Sequence, residues 1–171
     1  GIGGWALGLK LAGIEGVESY EWWSDAVLTH TKNLGSNCHQ LDIRKLSHSD
    51  LPKGIDIVVG SPPCTQFSYS NRGGSGDIKD GLRDVYKFFE VVEYLNPKYW
   101  AMENVPRVAG ILRSEAEKGG ALYRFRHILK NAAVEVFDLS DFGTPQKRKR
   151  CIAGNFDLEL LVNYKQVSKT V

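Results

Sequence analysis

The sequence predicts an α/β fold with a doubly wound, mostly parallel sheet, and three observations support this prediction. Extended and helical patterns alternate along the 171 residues. Residues 55–59 form a compact run of Ile and Val around one Asp, which is typical of a parallel strand buried on both faces. With 42% hydrophobic and 25% charged residues, the chain has the composition of a globular protein, which excludes a mainly disordered, collagen-like or coiled-coil one.

The elements follow from apolar spacing and from the residues that end each run. Helical patterns occur at residues 5–12, 25–34, 82–95 and 122–132. Extended patterns occur at residues 17–22, 38–43, 55–59, 98–102, 134–139 and 151–155. The strongest helix has one apolar stripe and is ended by Pro97; the stripe consists of Leu82, Val85, Phe89, Val92 and Leu95.

The loop at residues 61–81 is longer than most connections in a compact domain, and such loops are usually functional lids or disordered.

Composition places the protein in a broad class but does not identify a partner. The net charge of +2 gives no overall electrostatic case for nucleic acid, although residues 141–150 carry four cations and one anion. Alone, that run is best interpreted as a solvated turn. Three Cys residues without a CxxC pair indicate a reducing, intracellular setting, and no apolar run approaches the roughly 18–20 residues of a membrane span. We therefore expect a soluble, cytoplasmic protein.

A glycine-rich opening precedes the first helix. Small residues there let a ligand approach the backbone, and the helix N-terminus offers unpaired N–H groups. A plain turn explains these glycines equally well. The residues concerned are Gly1, Ile2, Gly3 and Gly4.

Three further residues follow extended segments, where a nucleotide-type cofactor would be bound. Glu21 follows the glycines at about the sequence separation at which an acidic residue commonly binds ribose hydroxyls. Trp22 could cover an adenine face, although a core position is more common for such an aromatic. Asp42 could accept a hydrogen bond from an adenine amino group, or it could be a solvated turn residue.

The most specific segment comes directly after the strand at residues 55–59. Pro62 and Pro63 fix the backbone immediately before Cys64. A strand's carboxyl end is a good place to present a nucleophile and a poor place to bury a structural thiol. A packing role fits Cys38 and Cys151 better.

Two more segments supply a carboxylate and arginines. Glu103 ends an apolar strand, and it would lie close to Cys64 if the two strands are adjacent, where it could hold or donate a proton. A helix cap or an ion pair is the alternative role. Strand alternation puts Gln146, Arg148 and Arg150 on one side of the strand. From there the arginines could form bidentate hydrogen bonds with a base oxygen or a phosphate.

Together these segments resemble six motifs of the cytosine-C5 DNA methyltransferase family, in order and at similar spacing from residue 1 to about residue 155. Residues 1–4 resemble the family's glycine motif, Glu21-Trp22 its Glu-hydrophobic pair and Asp42-Ile43 its Asp-Ile pair. Pro63-Cys64 resembles its Pro-Cys motif, Glu103-Asn104-Val105 its Glu-Asn-Val motif, and residues 146–150 its Gln-x-Arg-x-Arg motif.

The resemblance implies an S-adenosylmethionine methyltransferase fold, S-adenosylmethionine as cofactor and double-stranded DNA as partner. It implies that Cys64 attacks C6 of a flipped-out cytosine and that Glu103 holds N3 and the amino group. Arg148 and Arg150 would steady the base and the active-site loop. The cofactor would be bound by Gly1, Ile2, Gly3, Gly4, Glu21, Trp22, Asp42, Ile43 and Pro63. No metal site is predicted.

The sequence also departs from the family. Thr65 stands where Gln often follows the Cys, and Trp23 stands where Asp often follows the Glu-hydrophobic pair. The family's first strand and its target-recognition region have no counterpart, so we expect residues 1–171 to be a single, incomplete catalytic domain of restriction-modification or phage type. Two alternatives stay open: a non-catalytic subunit that binds nucleic acid or cofactor, and an enzyme whose recognition region comes from a second polypeptide.

Overall fold

A computed structural model describes residues 1–35, 38–63 and 78–165, and these residues form two compact units. Unit 1 is Gly1–Pro52 and unit 2 is Lys53–Val171. The expectation of a single catalytic domain stays a prediction. In the described parts of the chain, no helix is both long enough and apolar enough to cross a membrane.

Unit 1 is a small parallel two-stranded sheet with two helices. Its elements are α1 (Gly4–Leu11), β1 (Ser19–Glu21), α2 (Ser24–Leu34) and β2 (Cys38–Gln40), followed by 3₁₀ turns at Ile43–Lys45 and His48–Asp50. Tyr20 pairs with His39 across the two strands. Ala26 and His30 of α2 are buried, as is Cys38 of β2. Both strands lie within the predicted segments, and each helix begins one residue before its predicted segment, at Gly4 and Ser24.

Unit 2 contains a four-stranded sheet in the order β3-β4-β6-β5. Its elements are β3 (Ile57–Gly60), α3 (Ile78–Leu95), β4 (Tyr99–Asn104), α4 (Val108–Glu115), α5 (Arg126–Leu129), β5 (Ala133–Asp138) and β6 (Lys149–Gly154). β3 and β4 are parallel, whereas β6 runs antiparallel to both of its neighbours. The α/β class is confirmed, and the sheet is mixed at β6.

Three details of unit 2 differ from the sequence-based expectation. α3 begins at Ile78, inside the segment expected to be a loop, most of which lies outside the described residues. The helix expected at residues 122–132 is a 3₁₀ turn at Tyr123–Phe125 followed by the single turn of α5. α4 was not predicted, because its apolar pattern is short.

The core of unit 2 forms around the apolar stripe of α3. Val85 and Phe89 are fully buried, and the Phe89 ring packs edge-on against Trp100 of β4 at 5.4 Å between centroids. Phe125 lies 5.7 Å from Phe89 on another side. Burial of each such side chain contributes about 1.5–3 kcal/mol, which anchors α3 on the strands whose ends form the site.

Candidate active site

The carboxyl ends of β3 and β4 lie at the same edge of the sheet of unit 2. The two strands are parallel, and Gly60 pairs with Met102. The segment after Gly60 and the residues Glu103 and Asn104 therefore leave the sheet side by side, where α/β proteins usually bind their ligands. This confirms the adjacency on which the sequence prediction depended. Cys64 itself lies outside the described residues, which stop at Pro63 on this side.

Asn104 connects the two strand ends, and sequence reasoning did not select it as a site residue. Its side chain is 1% exposed, and Nδ2 donates a hydrogen bond of 3.0 Å to the carbonyl of Pro62. Its Oδ1 accepts from the amide of Val105 at 2.9 Å. Asn104 thus fixes the chain two residues before Cys64. Its place in the Glu-Asn-Val motif was the signal available, since no local pattern marks a residue whose partner lies 42 residues away.

Asn104→Ala should destabilise the protein because it leaves the buried Pro62 carbonyl without its donor. We expect a loss of about 1–3 kcal/mol in the free energy of unfolding, measured by urea denaturation. Asn131→Ala is the matched control, since Asn131 is exposed and its change should stay within about 0.5 kcal/mol. Equal effects of the two variants would contradict the assigned role.

Glu103 and Arg150 form an ion pair at the same edge. Nε of Arg150 lies 2.8 Å from Oε1 of Glu103, and the two side chains are 17% and 27% exposed. The antiparallel register, in which Asn104 pairs with Cys151, brings Arg150 past the end of β4. The structure therefore places two of the predicted catalytic residues in contact. Partial burial makes such a pair less screened than a surface one.

Arg148 lies just before β6 and contributes differently. Its side chain is exposed, while its amide donates to Oδ1 of Asp138 at 3.0 Å. Asp138, the last residue of β5, was not selected from the sequence. Within the described residues, Arg148 is positioned through its backbone, and the ion pair of Glu103 is with Arg150.

The two other cysteines are packing residues, as predicted. Cys151 is fully buried, and burial raises its thiol pKa to about 11, with Arg113 opposing the shift. Cys38 is 8% exposed, and burial raises its pKa as well. Both thiols are unpaired, and neither is suited to act as a thiolate at neutral pH.

Unit 1 brings the glycine turn and Glu21 together. The Gly1 nitrogen contacts the Glu21 carboxylate, whose Oε1 also accepts from the amide of Trp23 at 2.9 Å. Gly3 has φ of 101° and is the N-cap of α1, so it supplies no side chain that could cap the first amides of that helix. Ile2 and Trp22 are each 64% exposed, and Gly4 begins α1.

The structure gives less direct support to a cofactor role for the other predicted residues. Asp42 caps a 3₁₀ turn, because its Oδ1 accepts from the amide of Arg44 at 2.9 Å. Ile43 is half-buried, and Pro63 is exposed. The turn role that the sequence left open for Asp42 is therefore present in the structure. A cleft of about 480 Å³ in unit 1 is lined by other residues, among them Tyr20 and His39.

Gly3 is required by both its backbone conformation and its neighbours. A Cβ at this position would lie 2.5 Å from Cδ1 of Leu34 and 2.9 Å from Nδ1 of His30. Burial lowers the pKa of His30, so a neutral imidazole packs under the turn at neutral pH.

Gly3→Ala should therefore distort the turn and weaken cofactor binding. Overpacking of this kind costs about 1–3 kcal/mol of stability, and we expect the Kd for S-adenosylmethionine to rise roughly tenfold, measured by calorimetry. Gly8→Ala is the matched control, because a Cβ on that helical glycine meets nothing within 4 Å. The control should gain about 0.5–1 kcal/mol, and the same cofactor loss in both variants would contradict the role of Gly3.

Comparison with known proteins identifies the family. The family description for C-5 cytosine-specific DNA methylases matches residues 1–170. The chain belongs to this family. The resemblance carried by the six motifs is thereby confirmed. Within the described residues, the family's Glu-Asn-Val and Gln-x-Arg-x-Arg motifs meet at the Glu103–Arg150 contact.

Individual members of the family show how much of a known enzyme the chain matches. It is 32% identical over 156 residues to the type II methyltransferase M.HindV of Haemophilus influenzae, covering 88% of this chain and 48% of that protein. It is 31% identical to M.AplI of Arthrospira platensis, covering 88% of the chain and 41% of that protein. The chain thus spans less than half the length of these relatives.

A solved structure shows the same fold. The Dnmt2 methyltransferase of S. pombe superposes with a TM-score of 0.70 at 23% identity, covering 99% of this chain and 54% of that one. This likeness confirms the methyltransferase-type α/β fold predicted from the motifs.

Proposed function

We propose that the protein transfers a methyl group from S-adenosylmethionine to C5 of cytosine in double-stranded DNA, through a transient bond between Cys64 and C6. One observation carries the proposal: Asn104 holds the segment that leads into Cys64 at the sheet edge where Arg150 holds Glu103. Membership of the C-5 cytosine-specific DNA methylase family supports it.

Glu103 and Cys64 act together on the pyrimidine ring. As the Cys64 sulfur bonds to C6, the electrons of the C5–C6 double bond move toward N3, and a proton from Glu103 balances the charge there. When that proton returns to Glu103, the electron pair on N3 moves back into the ring and makes C5 nucleophilic. Arg150 keeps the Glu103 carboxyl oriented, since its Nε is 2.8 Å from Oε1. General acid–base assistance of this kind contributes roughly 10²–10⁴-fold.

The residues of unit 1 fit a cofactor of this kind. Gly3 has no side chain to block a ligand that approaches the start of α1, and the Glu21 carboxylate, which contacts the Gly1 nitrogen, can accept hydrogen bonds from ribose hydroxyls. When bound, S-adenosylmethionine supplies the electrophilic methyl group on its sulfonium. After C5 has been methylated, a base removes the C5 proton, the C5–C6 double bond re-forms and the Cys64 sulfur leaves.

DNA binding is assigned to the segment before β6. Gln146, Lys147 and Arg148 are exposed there, as is Lys149 at the start of β6, and cations on a backbone-fixed segment suit phosphate oxygens. We assign Arg148 to steadying the flipped base or the adjacent phosphate.

A direct methyl-transfer assay tests the proposal. The gene product at its full natural length is incubated with S-adenosylmethionine carrying a labelled methyl group and with duplex DNA of mixed sequence. We expect label in DNA and 5-methylcytosine on mass spectrometry of the digested nucleosides. RNA of the same sequence should take up much less label.

The alternatives predict different results in the same assay. A protein that binds the cofactor and DNA but transfers no methyl group would favour the non-catalytic subunit. Activity that appears only after a second polypeptide is added would favour the partner-dependent enzyme. Label found on adenine or on cytosine N4 would contradict the proposed chemistry, because neither reaction needs attack at C6.

A further inference from the structure

A single carboxylate oxygen organises the connection between β5 and β6. Asp138 ends β5 and pairs with Lys149, the first residue of β6. Its Oδ1 accepts hydrogen bonds from the Ser140 hydroxyl at 2.9 Å, the Ser140 amide at 3.2 Å and the Arg148 amide at 3.0 Å. Because these donors lie at both ends of the connection, the one oxygen ties its beginning to its end.

The backbone of Arg148 is held on both sides. Its amide donates to Asp138, and its carbonyl accepts from the amide of Leu139 at 2.9 Å. The Arg148 side chain is nevertheless exposed. A fixed backbone beneath an exposed guanidinium reduces the orientations from which the planar fork can reach a ligand.

The negative charge of Asp138 strengthens the hydrogen bonds that it accepts. Hydrogen bonds from the Ser140 and Arg148 amides lower the pKa of Asp138, and the Ser140 hydroxyl and Lys149 act in the same direction. The carboxylate is therefore ionised throughout the neutral range. Hydrogen bonds to an ionised acceptor are shorter and stronger than those between neutral groups.

We propose that Asp138 is a positioning residue for Arg148, which it holds so that the guanidinium reaches the nucleic-acid substrate. The inference rests on the proposed function and gives Asp138 no contact with substrate. It extends the site beyond the family motifs to the end of β5. Only Lys149 lies between Arg148 and Arg150, the residue that contacts Glu103.

Variants of the gene product at its full natural length test the inference. We expect Asp138→Ala to lower kcat/KM for DNA roughly 10–100-fold, the range found when residues that orient metal ligands are replaced in other proteins. Asp138→Asn keeps an oxygen acceptor and should restore activity to within about threefold of wild type. Asp141→Ala is the matched control, because Asp141 lies in the same connection and pairs with Lys165 at 3.4 Å.

Two readouts separate positioning from a merely structural effect. In an Arg148→Ala background, Asp138→Ala should cost little more activity, because its effect passes through Arg148. A full additional loss would overturn the inference. Hydrogen exchange at the Arg148 amide should accelerate in Asp138→Ala and not in Asp141→Ala, and unchanged exchange would also overturn it.

Failure of this inference differs from failure of the proposed function. Wild-type methyl transfer with full activity in Asp138→Ala would overturn the role of Asp138 and leave the function standing. A wild-type protein that methylates no cytosine would overturn the function. The exchange rate of the Arg148 amide would then still show whether Asp138 holds that backbone.

Discussion

Cys64→Ser should reduce methyl transfer to DNA by roughly 10³-fold or more, as the loss of a covalent nucleophile does in other enzymes. A thiol ionises far more readily than a hydroxyl, and the thiolate is the form that attacks. The measurement is single-turnover methyl transfer at saturating S-adenosylmethionine. Binding of the cofactor should stay near wild type.

Cys38→Ala is the matched control for this variant. Cys38 is a buried packing thiol on β2, so its loss should lower stability and leave methyl transfer within a few-fold of wild type. If Cys64→Ser retained turnover, or if Cys38→Ala abolished it, the nucleophile would have been assigned to the wrong sulfur.

Glu103→Gln should slow methyl transfer by roughly 10²–10⁴-fold, the range expected when a general acid is removed. The amide has nearly the shape of the carboxyl group, and its oxygen can still accept from Nε of Arg150. It cannot deliver a proton to N3 of the base. The rate is measured under single-turnover conditions, and the Kd for S-adenosylmethionine is measured beside it and should change little.

Glu135→Gln is the control for the change in charge. Glu135 lies on β5 opposite Ile152 and is exposed, so its neutralisation should leave the rate unchanged. A large loss of cofactor affinity in Glu103→Gln, with little effect on the methyl-transfer step, would mean that Glu103 serves the cofactor and not the base.

The order and class of the elements were predictable because their apolar patterns are local. The stripe of α3 places Val85, Phe89 and Val92 at helical spacing, and all three are buried. The antiparallel direction of β6 was not predicted, although the chain contained a signal for it. A parallel return needs a crossover of roughly a dozen or more residues, and the link from Asp138 to Lys149 is shorter and lacks helical periodicity.

The site was predictable where the topology of the sheet brings strand ends together. Glu103 and the segment before Cys64 follow neighbouring parallel strands, so a general rule of α/β sheets placed them at one edge. Asn104 and Asp138 were missed because their roles depend on distant partners. Asn104 bonds Pro62 at a separation of 42 residues, and nothing in the local sequence distinguishes such a residue from an ordinary cap.

Covalent trapping tests the central claim most directly. Duplex DNA containing 5-fluorocytosine in the target sequence cannot lose a C5 proton after methylation, so the bond to the enzyme should persist. We expect a denaturation-resistant complex that forms only with S-adenosylmethionine, and mass spectrometry should place the nucleotide on the sulfur of Cys64. Methylation of ordinary DNA without any trapped complex, or a complex attached to another residue, would contradict the account.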